Sequence, residues 1–302
     1  MPPSITMTTA DVHPDLRRIS RLLPHSPVRA STLPLVRVGI RLARPGARGV
    51  PTLNVGDGVS VRLHTPAAPR GDGSAMLWIH GGGYVMGSPA QDDALCAAFA
   101  DRVGVTVAAV SYRFAPEHPY PAALDDCHTA LRWLRARPQT DPAKTVVAGA
   151  SAGGGLAAAL SLRIRDADEV APALQLLTYP MLDDRTRTAS SPARAHRMWG
   201  AASNAYAWNA YLGTADPADA VPARHDDLSG VAPAWIGVGS TDLFYDEDLA
   251  YAQRLRDAGV ACDVEVIPGA FHGFDSVAPR TPVARAFLAT RARAVERALD
   301  GR

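Results

Sequence analysis

Five residues, Gly149-Ala150-Ser151-Ala152-Gly153, join a β-rich run at 145–148 to an Ala- and Leu-rich segment at 154–164 of high helix propensity. The turn between such a strand and such a helix is so tight that side chains two residues either side of the serine would collide. Its product is a serine Oγ held out at the end of a sheet, above a helix N-terminus. The pentapeptide also arises by chance in helices rich in small residues. The rest of the chain must therefore supply the sheet.

It does so in alternation. Val59–His64 alternates apolar and polar residues, and Ala75–Ile79 is a short apolar run ending at a glycine cluster. Residues 105–111, 173–177, 234–239 and 261–267 are further strand-like runs. Residues 120–136 carry Leu124, Cys127, Leu131 and Leu134 on one helical face. Residues 249–258 form a helix ended by Gly259, and 282–297 the last helix. Strands alternating with helices predict an α/β fold with a mostly parallel sheet covered on both faces. At 302 residues the chain suits one large domain of this class with insertions.

Two segments break the rhythm. The first stretch, to about Gly46, reads as short helices interrupted by Pro24, Pro27, Pro34 and Pro45. The second, residues 183–223, holds Trp199, Tyr206, Trp208 and Tyr211 in a chain with only 6% aromatics. A structureless loop of about 40 residues is improbable in a compact domain, so a helical insertion is expected.

Several classes of protein are excluded. A formal net charge of +1 gives no global field for nucleic acid or an anionic membrane. The local excess of Arg21, Arg29, Arg37, Arg41, Arg44 and Arg48 alternates with apolar residues and reads as a solvated helix face. Cys96, Cys127 and Cys262 are odd in number and widely spaced, with no disulfide framework or metal-ligand spacing. Cys127 falls at helical spacing among leucines and is expected in the core. No signal peptide and no apolar run of about 18 residues is visible, so a cytoplasmic enzyme is expected.

The chemistry is spread along the chain. His80-Gly81-Gly82-Gly83 follows the run Ala75–Ile79. A tetrahedral acyl intermediate places negative charge on an oxygen, and donors must already point at it. Glycines allow the close backbone approach this needs. The candidate donors are the N–H groups of Gly81 and Gly82, joined by that of Ala152. Asp242 follows Ala234–Gly239, and His272, in Phe271-His272-Gly273-Phe274, follows 261–267. Both stand at carboxyl ends of expected parallel strands, where sites of open α/β sheets form. The order Ser151, Asp242, His272 is that of α/β-hydrolases. Asp246, Glu247 and Asp248 compete with Asp242, but acids at a helix start are also favoured for local reasons.

Together His80–Gly83, the stretch from Ser111-Tyr112-Arg113-Phe114 through Glu117 to Ala123, Gly149–Gly154 and Phe271–Phe274 resemble the hormone-sensitive-lipase-like family of bacterial serine esterases. The resemblance runs from about Val59 to Ala294. It implies an eight-stranded α/β-hydrolase core, about 46–182 and 224–302, under a helical cap, about 1–45 and 183–223. It implies cleavage of short- to medium-chain carboxylic esters, with Ser151, Asp242 and His272 as triad and Gly81, Gly82 and Ala152 as oxyanion donors. Two positions depart from the family pattern. Ala150 stands where Asp or Thr is usual, and Leu243-Phe244 follows the acid where Pro-Leu is frequent. Tyr112, Arg113 and Glu117 are read as structural.

Met198, Trp199, Tyr206, Trp208 and Tyr211 are candidate pocket walls over Ser151. The expected partner is a small-molecule ester, with no nucleic acid, no membrane span, and a homodimer admitted as an assembly. No metal or organic cofactor is expected. One rival is a non-catalytic small-molecule binding protein on the same fold, which the presence of His272 disfavours. The other is a dinucleotide-binding oxidoreductase, because Gly153-Gly154-Gly155-Leu156-Ala157-Ala158 fits G-x-G-x-x-A. That site belongs in a first βα unit with an acid ending the next strand. Here at least three strand-like runs precede it, and 173–177 is followed by Thr178-Tyr179-Pro180 with no acid.

Overall fold

The computed structural model describes residues 12–43, 45–187, 189–190 and 196–301. Its eight strands form one sheet in the order β1-β2-β4-β3-β5-β6-β7-β8. They are β1 Thr52–Gly56, β2 Val59–His64, β3 Ala75–Ile79, β4 Thr106–Ser111, β5 Thr145–Ala150, β6 Leu174–Thr178, β7 Ala234–Gly239 and β8 Cys262–Ile267. The pairs β1·β2 and β2·β4 are antiparallel, and every later pair is parallel.

Alternation along the strands divides the core. Val147 and Leu177 pack with Leu131, Leu160 and Leu255 on one face. Val146 and Leu176 pack with Phe99, Phe287 and Val295 on the other. Both faces are therefore sealed, which is why the central strands read as unbroken apolar runs. The helices in chain order are α1 Arg17–Ser20, α2 Leu33–Ala43, α3 Asp93–Phe99, α4 Ala122–Arg135, α5 Ala152–Asp166, α6 Ala201–Leu212, α7 Pro217–Ala220, α8 Tyr245–Asp257, α9 Phe274–Val277 and α10 Pro282–Leu299. All three cysteines are buried and unpaired, and Cys127 is a core residue of α4.

Strand β1 lies outside the runs read from sequence. Its alternation is short, with only Leu53 and Val55 half-buried between exposed residues. It exists because it pairs with β2 across the turn at Asp57-Gly58. Helix α3 also escaped the pattern reading, being only seven residues long.

The arginine-rich N-terminal segment differs from expectation. Helix α2 buries only Leu33, while Leu35, Val38 and Leu42 are exposed. Arg37 turns inward instead. Its guanidinium donates to the carbonyls of Val85 and Ala115 and to both oxygens of Glu117. Periodicity shows that a helix has two faces, but not which of them meets the protein. Arg44 lies outside the described residues. The N-terminal segment also meets the segment before and within α6. Met198 N–H donates to Pro24 O, and Ser203 Oγ accepts from Val28 N–H. Among the described residues, no helix is long and apolar enough to cross a membrane.

Candidate active site

The serine sits where β5 becomes α5. Its backbone is left-handed, φ 56° and ψ −121°. This costs energy in a non-glycine residue and persists only where the surroundings enforce it. They do. Ser151 N–H donates to Thr178 O, and Ser151 O accepts from Met181 N–H. A Cβ on Gly149 would fall 2.2 Å from Gly153 O. The two glycines of the pentapeptide are therefore steric requirements of this turn.

Asp242 and His272 come from the loops after β7 and β8. The loops are stitched together: Thr241 donates from its N–H and its Oγ1 to Ala270 O, and Gly269 N–H donates to Ser240 Oγ. Asp242 Oδ1 accepts from Phe244 N–H at 3.0 Å. Its Oδ2 lies 2.8 Å from His272 Nδ1, and His272 Nε2 lies 2.9 Å from Ser151 Oγ. A carboxylate only accepts, so Nδ1 carries the proton and Nε2 presents its lone pair to the hydroxyl. Asp242 is fully buried. The rival acids are engaged elsewhere. Asp246 accepts from Ser190, and Glu247 accepts from the N–H groups of Leu182 and Asp183. Burial pushes Glu247 up to about 8, and burial raises Asp248 as well.

Gly81 lies against the serine, since a Cβ there would meet Ala150 O at 3.0 Å and Ser151 Cβ at 3.3 Å. Gly82 has φ +135°, and a Cβ on it would fall 1.9 Å from Met86 O. Among the described residues no carbonyl accepts from the N–H of Gly81 or Gly82. Ala152 opens α5, where N–H groups have no partner within the helix. The loop is braced from behind. His80 Nδ1 donates to Gly81 O, and Tyr112 OH donates to His80 O beneath a stacked ring pair. Burial pulls His80 down to about 4, so it is a neutral scaffold. Arg113 pairs with Asp126, and Glu117 with Arg37, and none of the four lines the cavity over Ser151.

A cavity of about 220 Å³ opens over Ser151. Of the five candidate wall residues, Met198 and Trp199 line it, beside Ile40, Met86 and Val277. Tyr206, Trp208 and Tyr211 do not. Tyr84 explains this, because its ring stacks on Tyr211 at 4.0 Å and meets Trp208 at 5.1 Å, drawing both into the core. Tyr206 packs half-buried against the same core. Two neighbours of His272 were missed from sequence. Phe244 meets the imidazole edge-on at 5.1 Å, and Tyr179 at 4.8 Å. Tyr179 is held by a hydrogen bond to Asp275, itself bound by Arg291. Phe244 had a signal, standing two residues past the acid; Tyr179 had none.

A parallel α/β sheet with a serine on a strained strand-to-helix turn, hydrogen-bonded through histidine to a buried aspartate, defines an α/β-hydrolase site. The profile of the alpha/beta hydrolase fold family matches residues 76–276. An ethyl acetate hydrolase from Pseudomonas putida is 36% identical over 236 residues, covering 74% of this chain and 73% of its own. Carboxylesterase NlhH from Mycobacterium tuberculosis is 30% identical over 318 residues, covering 97% and 98%. The structure of a bacterial heroin esterase superposes with a TM-score of 0.86 at 32% identity, covering 97% and 99%. The chain belongs to this family, in its hormone-sensitive-lipase-like branch of bacterial esterases, and is a serine ester hydrolase.

Proposed function

We propose that the protein hydrolyses short- to medium-chain carboxylic esters through an acyl-enzyme on Ser151. The observation that carries this is the continuous chain Asp242–His272–Ser151, with contacts of 2.8 and 2.9 Å. His272 Nε2 takes the hydroxyl proton as Oγ attacks the ester carbonyl. Asp242 fixes the ring and stabilises the imidazolium that forms. The oxyanion takes hydrogen bonds from the N–H groups of Gly81, Gly82 and Ala152. The tetrahedral intermediate expels the alcohol, which receives the proton from His272. Water then attacks the acyl group, giving its proton to His272, and the acid leaves as Oγ is reprotonated.

Chain length follows from the space. The cavity is smaller than the roughly 300–1,000 Å³ of sites for drug-sized ligands. Trp199 limits it, because a Cβ on Gly83 would already fall 2.2 Å from the Trp199 ring. The relative named for ethyl acetate agrees with a short acyl group. In this reading residues 1–45 and 183–223 form the cap, with 46–182 and 224–302 the core; 1–11, 44, 188, 191–195 and 302 lie outside the described residues.

The test is labelling with an organophosphonate, followed by peptide mapping. Ser151 should carry the adduct, and Ser151→Ala should lose both labelling and p-nitrophenyl butyrate hydrolysis while keeping its circular dichroism. Labelling at another serine would reassign the nucleophile.

A further inference from the structure

Residues 16–56 contain eight of the chain's 31 basic residues and none of its 30 acidic ones. The rest of the chain therefore carries 23 basic residues against 30 acidic. A net charge near zero conceals two regions of opposite sign.

Within the basic region the usual partition of a helix is inverted. Arg37 of α2 faces the protein and Ile40 lines the Ser151 cavity. Leu35, Val38 and Leu42, spaced three and four apart, form one outward stripe and are 77%, 53% and 77% exposed. Scattered exposed leucines need no explanation, but an apolar stripe along one helix does. Arg41 is exposed on the same helix, and Arg18, Arg21, Arg29 and Arg48 are exposed in the same segment. None of these five forms an ion pair among the described residues. An apolar helical face set among arginines is the composition of helices that lie in the headgroup region of a membrane.

We propose that the outer face of α2 docks the enzyme on an anionic phospholipid surface, with Leu35, Val38 and Leu42 entering the boundary between headgroups and acyl chains. The arginines meet lipid phosphates, which supply the sign of charge that the segment lacks. Ile40 places the cavity mouth beside this face, so an ester dissolved in the surface has a short path to Ser151. A second copy of the chain fits the face less well. A two-fold interface would set this arginine-rich segment, which carries no acid of its own, against itself, like charge against like.

The test is sedimentation with vesicles of ether-linked phosphatidylglycerol and phosphatidylcholine, compared with phosphatidylcholine alone. Ether linkages keep hydrolysis out of the measurement. The wild type should pellet with the anionic vesicles, and added salt should release it. Leu35→Glu/Leu42→Glu should lower the partition coefficient by about tenfold or more, and Arg41→Glu by several-fold. These side chains are exposed, so circular dichroism and hydrolysis of dissolved p-nitrophenyl acetate should match the wild type. Three results would overturn the docking: no pelleting of the wild type, undiminished pelleting of the double variant, or a light-scattering dimer that the double variant dissolves. Vesicle binding by a protein without ester hydrolysis would leave the docking standing and remove the proposed reaction instead.

Discussion

A Cβ on Gly153 would lie 2.0 Å from the carbonyl oxygen of Ile79 and 2.5 Å from that of His80. The first turn of α5 therefore touches, backbone to backbone, the strand end that leads into the Gly81–Gly82 loop. The serine and its expected oxyanion donors are set relative to each other by this contact. Gly153→Ala must push them apart. The variant should either fail to fold or retain its circular dichroism and lose about 100-fold in kcat/KM on p-nitrophenyl butyrate, the cost of a misplacement near 1 Å. Wild-type activity in a folded Gly153→Ala protein would break the argument.

Two of the acids after β7, Asp242 and Asp246, separate by role. Asp242 contacts His272, whereas Asp246 holds Ser190. Asp242→Asn should preserve the fold and reduce kcat by about 10⁴-fold, because an amide favours the wrong imidazole tautomer. Asp246→Asn should leave kcat within a factor of about two, as expected of a group outside the hydrogen-bonded chain. Steady-state kinetics on both variants decides it. Equal losses would mean that the acid has been misassigned.

Two tryptophans of the same segment should behave differently. Trp199 borders the cavity, and Trp208 is in the core against Tyr84. Trp199→Ala should move the p-nitrophenyl ester optimum from about two to eight carbons toward longer chains, because the pocket lengthens. Trp208→Ala should leave the profile unchanged and cost about 3–5 kcal/mol in urea denaturation, as large core truncations do. A wild-type optimum at long chains would reject the short pocket.

Glu247 should make the protein less stable as pH rises. Its folded carboxyl keeps its proton until about 8, whereas 4.5 is the ordinary value expected of the unfolded chain. Burial is the main cause of the rise. Between those values the unfolded state binds fewer protons, so its share of the equilibrium grows with pH. The stabilisation is full below about 4.5 and is lost as pH rises toward about 8. Glu247→Gln keeps an acceptor for Leu182 and Asp183 but does not titrate. The melting temperature of this variant, minus that of the wild type, should increase steadily from about pH 5 to pH 8. A constant difference would place Glu247 in its ionised form.

What the sequence determined by itself was the part governed by local sterics and chain order. Gly149 and Gly153 flank Ser151 because no larger residue fits, and that constraint is written in adjacent positions. The central parallel strands were readable because they are buried on both faces and so carry continuous apolar runs. Asp242 could be placed because it follows one of these, β7, and His272 because it follows β8, an edge strand marked instead by alternation. Tertiary structure alone decided which face of each remaining element meets what. Trp199 reaches the cavity and Trp208 does not, because Tyr84, more than a hundred residues earlier, claims the second ring. Tyr179, just past β6, edges onto His272, past β8, across the end of the intervening β7, although the two are far apart in sequence. Strand β1 is held by pairing with β2 while its side chains stay largely in solvent. Helix α2 shows the same limit. Its two faces are visible in the spacing of leucines and arginines, but only the position of Glu117, Val85 and Ala115 turns Arg37 inward and leaves Leu35, Val38 and Leu42 outside. Periodicity is a property of one segment, whereas orientation is set by partners distant along the chain.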